Sequence, residues 1–274
     1  MTKCLITGAT SGIGLETAKA LAKCGYELIL VSRSEKKLST LSAELKDHYK
    51  SNIDTYACDL SLMSQTNKVC NDIKSEHENI DILINNAGGI FMDYQLTEEG
   101  VEKTFALNHM SYFVVTNSLL RNIKHKIINV ASEAHRNITI PEDFNNPNKY
   151  NGWFQYKRSK LANIYFTYRL NNILSEKNSN ITVNCLHPGV VNTNIANNNS
   201  NLIYKTISSI IKFFSISSIE GAQTTIYLAN DDASNFISGR YFIKSKPTKS
   251  SKISYDEEAA LNLWMVSENI WKSV

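Results

Sequence analysis

The sequence is poor in the features that mark several protein classes. It has five cysteines, Cys4, Cys24, Cys58, Cys70 and Cys185, and no two of them are spaced as C-x-x-C. That odd number without paired spacing argues against a disulfide framework or a thiolate zinc site, so no metal is expected. A reduced compartment fits, and the expectation is a cytoplasmic protein. No run of about 18 apolar residues occurs, so no transmembrane span is expected. The opening stretch MTKCLITGAT enters a strand pattern almost at once and leaves no room for a signal peptide or anchor helix ahead of the fold. The net charge is only +3 and the basic residues form no long run, which argues against a nucleic-acid partner.

What is present is an ordinary soluble composition, 42% hydrophobic and 20% charged, in a chain of 274 residues. That length holds one large α/β domain or two small ones. No internal repeat appears. Short apolar runs alternate with amphipathic stretches. Strands are expected at Lys3–Thr7, Glu27–Ser32, Ile53–Ala57, Ile80–Ile84, Lys126–Ala131, Ile181–Leu186 and, briefly, near Tyr241. Helices are expected at Ile13–Cys24, Glu35–His48, Leu62–His77, Glu98–Asn122, Phe154–Leu174 and Glu220–Leu228. This alternation indicates a doubly wound parallel sheet of Rossmann type in one α/β domain. Ligands in such sheets bind beyond the carboxyl ends of the strands. Two segments break the rhythm. The stretch 137–151 is polar and rich in Asn, a loop by composition. The stretch from about 190 to 218 carries the apolar run Leu202–Ile216, read either as a cover over a site or as a surface insertion packed on the body.

Thr7-Gly8-Ala9-Thr10-Ser11-Gly12-Ile13-Gly14 lies between the first strand and the first helix. Glycines permit a sharp turn that brings backbone N–H groups against a pyrophosphate, and the helix N-terminus adds partial positive charge. No Gly-Lys-Ser/Thr follows, so this is not a nucleotide-triphosphate loop. The second strand ends in Ser32-Arg33, where dinucleotide folds that prefer NAD place an acid. Arg33, helped by Lys36 or Lys37, is placed to pair with a 2′-phosphate, which favours NADP(H) over NAD(H). A solvated surface arginine is the bland alternative. Asp59, followed by Leu60 at the end of the third strand, is placed to bind an adenine amino group or to act as a helix N-cap.

With these motifs stand Asn85-Asn86-Ala87-Gly88, Asn108, Ser132, Tyr156-Lys157-Arg158-Ser159-Lys160 and Pro188-Gly189-x-x-x-Thr193. Taken in order over nearly the whole chain, the set resembles the short-chain dehydrogenase/reductase family. The segments Asn129–His135, Tyr156–Thr167, Leu186–Thr193 and the tail Asp256–Trp271 resemble its retinol dehydrogenase-like branch. The resemblance implies an NADP(H)-dependent oxidoreductase that interconverts an alcohol and a carbonyl in a small, lipophilic, retinoid- or steroid-like substrate. It implies Asn86, Ala87, Gly88, Pro188, Gly189, Val191 and Thr193 along the cofactor crevice, and Asn108 supporting a water that links to Lys160.

Elementary chemistry agrees with that set. Tyr156 and Lys160 are four apart on an expected helix and so share a face. A free tyrosine has a pKa of about 10, and a neighbouring cation favours the tyrosinate. Tyr156 then exchanges a proton with the substrate oxygen, Ser132 holds that oxygen, and Lys160 also holds the nicotinamide ribose. A reductase of small or polar carbonyls, a non-catalytic NADP(H) sensor, and a lipid-touching role for Leu202–Ile216 are the competing readings.

Other residues carry a structural expectation. His135 and His187 lack a completing metal or triad set and are assigned to packing or hydrogen bonding. Glu98-Glu99 read as helix-start or solvated acids. Phe154, Tyr165, Phe166 and Tyr168 fit either a packed core or, from the resemblance, a homodimer face.

Overall fold

The computed structural model describes residues 1–139, 150–189 and 217–274. One eight-stranded sheet runs through the molecule in the order β3-β2-β1-β4-β5-β6-β7-β8. The strands are β1 (Lys3–Thr7), β2 (Glu27–Ser32), β3 (Ile53–Ala57), β4 (Ile80–Asn85), β5 (Ile123–Val130), β6 (Thr182–His187), β7 (Tyr241–Ile243) and β8 (Lys246–Thr248). All neighbours pair parallel except β7 and β8. The order reverses between β1 and β4, so a crevice opens there at the carboxyl edge.

Period-two alternation divides the strands between two cores. Leu5, Ile29, Leu83 and Ile127 face one side, with the helices α3 (Met63–Glu76), α5 (Ser111–Leu119) and α6 (Gly152–Glu176). Cys4, Leu28, Leu30, Ile82 and Ile128 face the other, with α1 (Gly12–Lys23), α2 (Glu35–Tyr49) and α7 (Ser218–Asn230). Burial on both faces is why these strands read as nearly continuous apolar runs.

Beyond shifts of up to three residues at element ends, two of the expected elements differ. The helix expected from Glu98 begins at Lys103, as α4 (Lys103–Phe105), and continues through a π-helical turn (Ala106–Met110) into α5. The preceding residues instead turn at Gly100, whose φ of +75° is left-handed, and Glu102 caps α4 through Thr104 N and Phe105 N. Glu99 does serve a helix start, but that of α3: its carboxylate accepts from Met63 N at 2.6 Å and Ser64 N at 2.8 Å. The short strand near Tyr241 is one arm of a hairpin, with β8 as the other.

The tail forms α8 (Glu257–Lys272) and packs on α6. Phe166 stacks on Trp264, and Tyr168 stacks on Tyr255. Tyr165 donates to the Ile253 carbonyl at 2.8 Å. Core packing by the chain's own tail therefore accounts for Tyr165, Phe166 and Tyr168, while Phe154 stays exposed. The run Leu202–Ile216 and most of the polar loop lie outside the described residues.

Candidate active site

The parallel topology collects the sequence motifs along one edge. Gly8 follows β1, Ser32 and Arg33 end β2, Asp59 follows β3, Asn86 follows β4, Ser132 follows β5, and Pro188 follows β6.

At the switch point the first turn is locked to the fourth strand. Asn86 donates through Nδ2 to the Thr7 carbonyl at 2.9 Å. The Thr7 hydroxyl accepts from Asn86 N at 2.9 Å and Ala87 N at 3.1 Å. Gly8 and Gly12 have φ of +70° and +54°, a region that side chains disfavour. A Cβ on Gly14 would stand 2.3 Å from the Gly8 carbonyl oxygen, so helix and turn touch only because Gly14 is bare. Ser11, the N-cap of α1, makes no side-chain cap, and the first turn of that helix carries no acid. Its orphan N–H groups and positive end thus face the crevice without an internal anion. This cradle fits a pyrophosphate. Ile13 is buried beneath it.

Thr10 and Ser32 join through their hydroxyls at 2.7 Å, which ties the first turn to the end of β2. Arg33, next along, is exposed and has no ion pair among the described residues, and Lys36 and Lys37 are likewise exposed on α2. Asp59 accepts from Ser61 N at 3.0 Å and Ser61 Oγ at 2.7 Å, so one carboxylate oxygen serves a local turn beside buried Leu60. That turn is not a helix N-cap, since α3 starts at Met63 and is capped by Glu99.

The reactive cluster gathers on α6. Burial pushes the Tyr156 phenol above its ordinary value, and neighbouring Ser132 pulls it back in part. Ser132 Oγ accepts from Ala134 N at 3.1 Å, which sets its rotamer. One turn further along, Lys160 is buried, its ammonium 5.7 Å from the centroid of the Tyr156 ring and 3.0 Å from the Val130 carbonyl. Burial lowers the Lys160 pKa to about 7.

Asn108 sits in the π-helical turn, an irregularity common at functional sites. Its Oδ1 accepts from Gly89 N at 2.7 Å, and its Nδ2 donates to the Gly89 carbonyl and to Ser159 Oγ, each at 2.9 Å. It thereby pins the chain after β4 against α6. A Cβ on Gly88 would lie 3.1 Å from Asn108 Oδ1 and 3.5 Å from Lys160 Nζ. The structure thus brings together Asn108, Ser132, Tyr156, Lys160 and the Asn86–Gly88 strand end. Pro188 and Gly189 close β6 at the same edge, whereas Val191 and Thr193 lie outside the described residues.

The two histidines near strand ends hydrogen-bond inside the fold. His135 Nδ1 donates to the Ser132 carbonyl at 2.7 Å and its Nε2 accepts from Ser251 N at 2.9 Å. His187 Nδ1 accepts from Glu133 N at 3.1 Å, and burial pulls its pKa down to about 4. Among the described residues no group of three His, Cys, Asp or Glu side chains is placed to hold a metal ion. Sequence reasoning missed Ser159 as the partner of Asn108, although it lies within the quoted Tyr156–Lys160 motif. It also missed the fixing of Ser132 by His135, for which only the proximity of the two residues was a signal.

Comparison with known proteins agrees with this geometry. The family model described as short chain dehydrogenase matches residues 2–202. Retinol dehydrogenase 14 of Mus musculus is 35% identical over 282 residues, covering 96% of this chain and 84% of its own. The chloroplastic short-chain dehydrogenase TIC 32 A of Brassica napus is 33% identical, with 98% and 88% covered. An uncharacterized protein from Mycobacterium Paratuberculosis superposes with a TM-score of 0.80 at 27% identity, over 99% of this chain and 94% of its own. Among the described residues no helix is long and apolar enough to cross a membrane. The chain belongs to the short-chain dehydrogenase family and is an oxidoreductase of that family.

Proposed function

We propose that the protein is an NADP(H)-dependent oxidoreductase that interconverts an alcohol and a carbonyl on a lipophilic substrate, with Tyr156 as proton donor and acceptor. The observation that carries this reading is Tyr156 beside Ser132, with Lys160 one turn away on the same helix face. When bound, the nicotinamide supplies the carbon that gives or takes hydride.

The chain's residues do the rest. Ser132 and Tyr156 form a two-point clamp for one substrate oxygen. In reduction, the neutral Tyr156 phenol passes its proton to the oxygen as the carbonyl carbon accepts hydride. In oxidation, Tyr156 takes the proton of the alcohol, and the Lys160 cation favours its ionised form. Asn108 holds the Gly88–Gly89 backbone beside Lys160, where a water can link the lysine to solvent. The bare glycine turn at Gly8–Gly14, with Thr10 and Ser11, cradles the pyrophosphate. Asn86, Ala87, Gly88, Pro188 and Gly189 line the nicotinamide side, and Asp59 with Leu60 lines the adenine side.

Two features support NADP(H). No acid stands at Ser32-Arg33, and the Arg33 guanidinium is exposed, with no ion pair among the described residues, beside Ser32. The lipophilic substrate rests on the likeness to retinol dehydrogenases. Five free cysteines, four of them buried, suit a reduced compartment.

The test is a fluorescence titration with NADPH and NADH, followed by turnover on retinal, steroids and small aldehydes. The expected result is selective NADPH binding with turnover of the bulky apolar compounds. The Tyr156→Phe variant should keep cofactor binding and lose at least about a hundredfold in kcat. Preference for small polar carbonyls would replace the substrate class, and binding without any turnover would replace the enzyme by a sensor.

A further inference from the structure

The ring of Trp153 stacks on the ring of Tyr156, with centroids 5.6 Å apart and planes inclined by 24°. Trp153 nevertheless leaves 46% of its surface exposed. An indole in a helix's first turn has the option of folding onto the core, and the chain's other two tryptophans do so: Trp264 and Trp271 pack against Phe113. Trp153 instead covers the proposed proton donor and presents its remaining surface outward. Tyr156 thus lies between two neighbours along α6. Lys160, one turn towards the C-terminus, is buried on the inner side. Trp153, one turn towards the N-terminus, occupies the outer side.

Gly152, next to Trp153, packs so closely on the segment after β4 that a Cβ there would lie 2.5 Å from Met92 Cα and from the Phe91 carbonyl oxygen. That contact holds the start of α6 against Phe91 and Met92. Tyr150 reinforces it by donating to the Phe91 carbonyl at 2.6 Å.

We propose that Trp153 is a substrate-contacting specificity residue that favours carbonyl compounds whose carbons beside the reacting group are flat and π-conjugated. The inference rests on the reading that Tyr156 and Ser132 hold the substrate oxygen. A substrate anchored there has its reacting carbon turned inward and its remaining chain directed outward past Trp153. A planar conjugated chain meets the indole face in an offset stack, whereas a saturated chain of equal length meets it only edgewise and with rotational freedom to lose.

The test compares trans,trans-2,4-octadienal with octanal, using the full chain and NADPH, in wild type, Trp153→Ala and Trp153→Phe. These aldehydes share length and head group, so the ratio of their kcat/KM values isolates the conjugated segment. The expected result is a roughly tenfold fall of that ratio in Trp153→Ala, expressed mainly in KM, with recovery of most of it in Trp153→Phe. Equal losses on both aldehydes would mean that Trp153 only props Tyr156, and would overturn the proposal while leaving the enzyme reading intact. A wild type that reduces neither aldehyde nor any other carbonyl would overturn both.

Discussion

Lys160 and Tyr156 are joined without an ion pair: the ammonium lies 5.7 Å from the phenol ring's centroid while donating to the Val130 carbonyl at 3.0 Å. Among the described residues that carbonyl is the only hydrogen-bond partner of the ammonium, and burial brings the lysine's pKa to about 7.

That arrangement has a pH signature. An unfolded lysine titrates near about 10.4. Between about pH 7 and that value the unfolded chain holds a proton that the folded chain has released, so this group makes stability rise with pH. Below about pH 7 both states carry the proton and the full cost of burying the charge remains. Lys160→Met should thus gain most over wild type at pH 6 and least near pH 10. The difference between their Tm values should shrink by several degrees across that range. A constant difference in thermal melts would show that Lys160 stays charged in the folded protein throughout.

The turn at Gly8–Gly14 makes a steric prediction. Alanine is the better helix former by about 1 kcal/mol, yet at Gly14 its Cβ would meet the Gly8 carbonyl oxygen at 2.3 Å and Asn86 Nδ2 at 2.4 Å. The first contact is backbone and cannot rotate away. Gly14→Ala should therefore lower Tm despite its helix propensity, and should weaken NADPH binding at least about tenfold by displacing the turn. Unchanged binding in a fluorescence titration would show that the turn tolerates the shift and does not hold the phosphates.

How much of this was legible beforehand follows from where the signals lay. Strands β1 and β2 were read to the residue, because buried parallel strands appear as short apolar runs closed by polar turns; β3 was read to the residue although, as an edge strand, it exposes Asp54, Thr55 and Ala57. The site residues were legible because the parallel topology puts motif after motif at one edge. Helix α8 and the hairpin partner β8 were not assigned. Lys246–Thr248 is short and contains Pro247, and the stability of α8 comes from packing Leu263 and Trp264 against the rest of the fold. The start of α4 was misplaced because Glu98 and Glu99 look like first-turn acids, yet Glu99 caps a helix distant in sequence. Lys126 likewise reads as a polar strand end. It is buried, donating to the Leu228 and Asp231 carbonyls at the end of α7, a partnership visible only in three dimensions.

Cofactor choice is tested at Arg33. A charge-assisted hydrogen bond to a phosphate contributes about 1.5–3 kcal/mol, equivalent to about ten- to a hundredfold in affinity. Arg33→Asp should lower NADPH affinity by about that factor and improve NADH, since the new carboxylate repels a 2′-phosphate and accepts from ribose hydroxyls. The residue is exposed, so the fold should keep its Tm within about a degree or two. An unchanged NADPH-to-NADH ratio would mean that Arg33 is a solvated surface residue.

His135 offers a test of how Ser132 is held. Its imidazole spans two segments, donating from Nδ1 to the Ser132 carbonyl and accepting at Nε2 from Ser251 N, with its ring edge on Tyr241. Only the neutral ring can do both, and burial accordingly lowers its pKa. His135→Phe fills the same space and strands the Ser251 N–H, while the Ser132 carbonyl loses the imidazole donor and keeps the backbone N–H of residue 135 at 3.2 Å. The orphan costs about 1–3 kcal/mol and the lost bond about 1, so the variant should be less stable by about 2–4 kcal/mol at pH 7.5 in urea unfolding. The pH dependence fixes the cause. Below an unfolded value of about 6.5 the unfolded chain takes a proton that the folded ring resists, so the wild type loses this part of its stability as pH falls. The variant has no such part to lose, and the stability gap should narrow towards pH 5. Because Ser132 would lose the imidazole that holds its carbonyl while the Gly8–Gly14 turn stays untouched, kcat should fall with NADPH affinity preserved. A gap independent of pH would mean that the ring contributes by shape alone, and not through its two hydrogen bonds.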